Sequence, residues 1–290
     1  MPDLFSPKQV ARAIGVSESS LKRWCDQGLL PSQATPGGHR KLPLSGVMEF
    51  LRQGKHALVD PTAIGLPMGT GGKPRSLKRS LVPLRDALVA GEDASCRRIL
   101  LDLYLDGLPL CHLCDELLMP VFAEIGEMWH CGDIEVYRER RACRLCSRAL
   151  HELRSLLPPP AADAPVAMGG APQGDIYELP TTMVEIVLRE AGWQATSLGS
   201  TLPLTTLAAA ITENRPKMLW LSVSYLAEEQ AFLADYAELA AVAAGKTALV
   251  VGGRGLTAEV RSRMQFTAYC ADLRELKALL PQIAASEPAN

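Results

Sequence analysis

The run Pro158-Pro159-Pro160 divides this chain into two kinds of text, because three successive prolines lack N–H donors and cannot sit inside a helix. Before it, residues 77–89, 93–105, 110–130 and 134–156 place apolar residues three and four apart. Gly91, Gly107-Leu108-Pro109 and Gly132 punctuate them, and the pattern predicts a four-helix bundle. After Pro165 the texture changes to short apolar runs (PVAMGGA, QATSLGS, KMLWLSVS, TALVVGG, FTAYCA) between helical stretches. That alternation predicts a parallel sheet with helices on both faces, an α/β nucleotide-binding-type fold.

The predicted organisation is therefore a multidomain α and α/β chain. Residues 1–56 form an N-terminal head, 57–76 a flexible linker, 77–157 the bundle, 158–165 a Pro-rich linker, 166–285 the α/β domain and 286–290 a tail. The first linker holds GLPMGTGGKP, read as a tether because it is rich in Gly and Pro and lacks a hydrophobic period. With 48% apolar and 21% charged residues, the chain has enough apolar side chains to build buried cores, which excludes wholesale disorder. MPDLFSPKQV has no apolar leader segment and no stretch of about 18 apolar residues occurs, so the expected location is the cytoplasm, away from any membrane.

The formal net charge of −2 conceals an asymmetry. Residues 1–80 hold 12 Lys/Arg against 5 Asp/Glu, whereas residues 81–290 hold 18 against 27. A basic end on an acidic body points to a nucleic-acid contact confined to the N-terminal part. There, Ser6-Pro7-Lys8-Gln9 is a helix start with the makings of a capping box, and Gly15 and Ser17 separate it from a second helix, ESSLKRWCDQ. Leu21 and Trp24 face inward in this reading; Ser19, Ser20, Lys22 and Arg23 face outward, with side chains suited to phosphates and base edges. Thr35-Pro36-Gly37-Gly38 then turns the chain into His39-Arg40-Lys41, the basic strand of a wing.

The run GVSESSLKRWCDQGLLPSQATPGGHRKL resembles the winged helix-turn-helix of MerR-type transcription regulators over about fifty residues. Further on, Asp175-Ile176-Tyr177-Glu178-Leu179-Pro180 is followed after 41 residues by Ser222-Val223-Ser224, and after 27 more by Gly252-Gly253. This is the spacing of the three motifs of cobalamin-binding Rossmann-like domains. Leu118-Met119-Pro120, Ile125 to Trp129 and Gly132-Asp133-Ile134 resemble the helical cap of the light-responsive CarH and LitR regulators, so the resemblance spans nearly the whole chain.

The departures from that family fall on the cobalt axis. Tyr177 stands where the family has its lower histidine ligand, Pro180 where it has glycine, and the cap pattern reads Trp129, nine residues, Glu139 and then Arg140 where the family has histidine. A phenol, with pKa about 10, must lose a proton before it can ligate, and Arg cannot ligate at all. Three explanations compete: cobalamin bound without histidine, another small ligand in the cleft, or a cleft closed by the Tyr177 ring and used for protein contacts. The third is favoured, and with it no cofactor. The degenerate site comprises Asp175, Tyr177, Pro180, Ser222, Ser224, Gly252, Gly253, Trp129, Glu139 and Arg140, with Asp175 and Glu178 expected to cap the following helix.

Six of eight cysteines lie in the bundle, two pairs of them as C-x-x-C. Cys111, Cys114, Cys143 and Cys146 could assemble a zinc or iron-sulfur site with His112 and His130 near by, but the 28-residue gap between the pairs suits no zinc ribbon and inert core thiols are the preferred reading. His39, His56 and His151 show no partner in the sequence, and no catalytic arrangement stands out. The expected function is a repressor acting on double-stranded promoter DNA, linked to light or stress and controlled by homo-oligomerisation or by a separate photosensor or antirepressor protein. The rivals are a cobalamin photoreceptor, a redox or metal sensor and, last, a corrinoid methyl-transfer subunit.

Overall fold

The computed structural model describes residues 4–54, 56–72 and 76–286, so the tail beyond Ser286 lies outside the described residues. The chain divides into two compact units, 1–158 and 159–290. In the first, strand β1 (Leu4–Phe5) leads into helices α1 (Pro7–Ala13) and α2 (Glu18–Asp26), strands β2 (Gln33–Ala34) and β3 (Arg40–Pro43), and helix α3 (Leu44–Arg52). Ser6 caps α1 in a complete capping box with Gln9, and the Ser17 side chain accepts the Ser20 N–H to start α2. The strands form an antiparallel sheet in the order β1-β3-β2, pairing Gln33 with Lys41 and Ala34 with Arg40.

Residues 57–72, expected as a flexible tether, are packed instead. Leu58, Ile64 and Leu66 are buried, a 3-10 turn spans Pro61–Ile64, and the Val59 and Asp60 N–H groups both donate to the Ala13 carbonyl. Asp60 also binds Arg12 at 2.7 Å, and the Thr62 hydroxyl, followed by Arg12, holds its carboxyl below the usual carboxylate range. Gly71 has φ +78 and a Cβ there would lie 2.7 Å from Leu58, while its N–H donates to the buried carboxylate of Asp102 in the bundle at 2.8 Å. These glycines serve specific turns, and the apolar residues between them supply the anchoring that composition concealed.

The bundle comprises α4 (Leu77–Ala90), α5 (Asp93–Leu105), α6 (Leu110–Leu113), a π turn (Cys114–Leu118), α7 (Met119–His130) and α8 (Val136–Leu156). Pro120 lacks an N–H and its ring crowds the carbonyl of residue 116, so the widened turn just before it accommodates the proline without ending the helix. Leu84, Leu100, Leu113, Leu117, Val121, Ile125 and Leu150 fill the centre. Head and bundle join within this unit: α3 packs on α5 and α8, and Arg52 lies 4.0 Å over the Tyr104 ring.

The second unit is a five-stranded parallel sheet in the order β5-β4-β6-β7-β8, with β4 at Val166–Gly170, β5 at Gln194–Ser197, β6 at Met218–Ser222, β7 at Ala248–Gly252 and β8 at Ala268–Cys270. Helices α9 (Leu179–Glu190) and α13 (Leu273–Ala285) cover one core around Trp220; α10 (Leu204–Asn214), α11 (Glu229–Ala243) and α12 (Ala258–Ser262) cover the other around Leu219 and Leu221. The strand order reverses between β4 and β6, so the loops leaving those two strands flank the crevice where doubly wound sheets hold ligands. Among the described residues, no helix is long and apolar enough to cross a membrane.

Candidate functional sites

In the head, α2 exposes Ser19, Lys22 and Arg23, with Ser20 half-buried beside the Ser17 cap. The wing turn is closed by Thr35, whose N–H donates to the His39 carbonyl and whose hydroxyl accepts the His39 N–H, and His39 itself is exposed. The candidate cations are not equivalent. Lys22 pairs with Glu18 at 3.0 Å, and Arg40 reaches back from β3 to Asp26 at 2.8 Å and to the Lys22 carbonyl at 3.2 Å. The Asp26 hydrogen bond pushes the Arg40 pKa up. Arg23 and Lys41 make no ion pair among the described residues and are free to meet phosphates. The Arg40 clasp ties the wing to the C-terminal end of α2, a role that a search for surface cations does not detect.

Trp24 is half-buried, short of the core position expected for it, and it has a partner that the sequence left unassigned. The His56 ring lies 4.5 Å from Trp24 and stacks on Phe50 at 5.3 Å with 13° between planes. This trio joins α2, α3 and the end of the head just after α3 through aromatic contact.

In the α/β unit, Asp175 is completely buried and does not cap α9. Its carboxylate accepts the N–H groups of Ser224 at 2.5 Å, Tyr177 at 3.0 Å and Tyr225 at 3.3 Å, while its carbonyl accepts the Thr201 N–H. It thereby binds together the loops after β4, β5 and β6. Glu178 precedes α9 without a side-chain cap bond, and Pro180 lies in the first turn. Ser222 is buried at the end of β6, where it pairs with Gly252.

Tyr177 lies in the loop between β4 and α9. The ring is half-buried, with the Arg254 guanidinium 5.8 Å over its face, so cation–π contact with the loop after β7 replaces the full burial expected for it. Gly253 has φ +106, and a Cβ there would come within 2.2 Å of the Val223 carbonyl oxygen; one on Gly252 would lie 2.8 Å from the Cys270 carbonyl oxygen. Neighbouring backbone takes up the room these glycines provide. Residues 159–290 contain no histidine, and the residues present therefore do not fit a histidine-ligated cobalt.

In the bundle, Trp129 is 47% exposed at the end of α7. On α8, Glu139 accepts the Cys143 thiol at 3.3 Å and lies 3.5 Å from the exposed Arg140. Cys111, Cys114 and Cys146 are buried and Cys143 half-buried, yet among the described residues no three His, Cys, Asp or Glu side chains come together to hold a metal ion, so the four-sulfur site is not assembled. Burial first, then Glu139, pushes the Cys143 thiol up to about 12, and burial followed by Asp93 does the same for Cys96. His112 is occupied by Glu116 at 2.6 Å.

Two family models match the chain: a helix-turn-helix domain over residues 4–55 and a B12 binding domain over residues 82–154. The HTH-type transcriptional repressor CarA of Myxococcus xanthus is 30% identical over 171 residues, or 59% of this chain. The match spans 57% of that relative, so the chain covers little more than half its length. The monomethylamine corrinoid protein of Methanosarcina barkeri aligns with a TM-score of 0.59 at 16% identity, over 72% of this chain and 100% of that one, which is a likeness of fold. The chain thus joins a helix-turn-helix match in its head to a B12 binding domain match in its bundle, followed by a parallel α/β unit.

Proposed function

We propose that this protein is a DNA-binding transcription regulator, a repressor, whose head docks on promoter DNA. The observation that carries the reading is the exposed face of α2 beside a wing clasped to it by Arg40 and Asp26, with Arg23 and Lys41 unpaired. Helix and wing then act as one rigid body: Ser19, Ser20, Lys22 and Arg23 face the groove and His39 and Lys41 the backbone. Similarity to a repressor supports this reading over an enzymatic one. A gel-shift series against its own promoter region over rising salt tests it: specific binding weakens log-linearly with salt, and equal affinity for unrelated duplexes overturns it.

The bundle and α/β unit serve assembly and signal reception. The B12-binding match makes a cobalamin-type ligand the natural comparison, and one bound there would supply light-labile cobalt-carbon chemistry. Loss of histidine at Tyr177 and Arg140, with Arg254 over the phenol, favours a regulator that assembles without cobalt ligation. Its signal then comes from a homo-oligomeric contact or a separate antirepressor or photosensor protein. The corrinoid methyl-transfer reading is weaker, since a methyl carrier has no use for a winged head.

A further inference from the structure

The α/β unit has a groove of about 860 Å³ at the N-terminal ends of its strands, the end of the sheet opposite Asp175. Three cations line it: Arg215, Lys217 and Lys246. Residues 159–290 hold 9 Lys/Arg against 14 Asp/Glu, so a third of the cations of an acidic unit gather at one groove. Among the described residues, no carboxylate lines it.

The other six cations of the unit have partners. Arg189 pairs with Glu185, Lys277 with Glu190, Arg263 with Glu229 and Arg274 with Asp272. Arg254 and Arg261 lie over the rings of Tyr177 and Tyr269. By contrast, Arg215 and Lys246 meet neither acid nor ring among the described residues, and the Lys217 ammonium donates to the Ser286 carbonyl without meeting an acid there. Three cations with no carboxylate among the lining residues give the groove a positive potential that favours an anion. Arg215 also closes α10 at φ 46, in the left-handed region where a glycine would be unstrained.

The floor has a different chemistry. Val166, Ile211 and Val242 give it apolar lining, and the Thr212 hydroxyl near by donates to the Ala208 carbonyl of its own helix at 3.0 Å. We propose that this groove binds a small organic phosphate, its phosphate groups held by Arg215, Lys217 and Lys246 and its apolar or aromatic body resting on the floor. The site is independent of the DNA-binding reading and lies away from the cobalamin-type rim.

Calorimetric titration of the full chain with adenosine 5′-diphosphate and with pyrophosphate, at physiological ionic strength, tests the proposal. The expected result is saturable binding of one adenosine 5′-diphosphate per chain, about tenfold tighter than pyrophosphate because only the nucleotide uses the floor. Arg215→Gly removes a cation while relieving the left-handed backbone, so the variant stays folded and binding weakens at least about tenfold; Lys246→Ala acts in the same direction. Arg23→Ala, in the head, leaves it unchanged. No binding, binding that survives Arg215→Gly combined with Lys246→Ala, or a loss on Arg23→Ala would overturn the assignment.

Discussion

The carboxylate of Asp175 accepts the backbone N–H of Ser224 at 2.5 Å, across 49 residues of sequence. Through this bond and those to Tyr177 and Tyr225, one side chain holds the rim where the strand order reverses. Asp175→Asn keeps the shape but turns one acceptor into a donor facing buried N–H groups. The expected cost is about 1–3 kcal/mol, read as a lower urea midpoint for the α/β unit; an unchanged midpoint would show that the loops do not depend on it.

Arg40 and Lys41 are neighbours with different work. Lys41→Ala should reduce the salt slope of DNA binding by roughly one ion, the signature of a lost phosphate contact, while Arg23→Ala should weaken binding and also relax sequence preference. Arg40→Ala frees the wing from Asp26, and affinity should fall with the slope largely kept. A slope change for Arg40→Ala equal to that of Lys41→Ala would make Arg40 a phosphate ligand.

The bundle thiols predict an alkaline limit. Burial pushes the Cys96 and Cys143 thiols up to about 12 in the folded protein, against an ordinary thiol value of 9.0. Between these values the unfolded chain has released protons that the folded chain retains, so stability falls as pH rises from 9 toward 12. Urea midpoints at rising pH check this, and Cys96→Ala should flatten the decline. A midpoint that holds steady or climbs above pH 9 contradicts it.

Adenosylcobalamin should bind weakly and leave oligomer size indifferent to light. Tyr177→His with Pro180→Gly and Arg140→His restores the missing imidazoles, and tighter binding with a changed visible spectrum is the expected gain. Micromolar binding by the unaltered chain, with light-dependent sedimentation, would refute the view that the cobalt axis is lost.

Much of the fold could be read from sequence because its signals are local. Ser6 with Gln9, Ser17 with Ser20, the glycines between bundle helices and the short apolar runs after Pro165 act within a few residues of themselves, and period and capping report them directly. The head's outward cations were legible in the same way, since helical spacing separates Arg23 from Leu21.

What tertiary structure alone decided are pairings between residues far apart in the chain. Nothing near Gly71 announces Asp102, 31 residues on, so a segment rich in turn residues read as a tether when it is a packed strap. Asp175 beside a helix start has the sequence of a cap, and only the parallel crossover brings the N–H groups after β6 within its reach. His56 found its aromatic partners, Arg40 its Asp26 and Tyr177 its Arg254 by the same route, while the two C-x-x-C pairs were never brought together. A side chain's type limits what it can bond, but hydrogen bonds and ring contacts act over a few ångströms, and the fold determines which distant groups come that close.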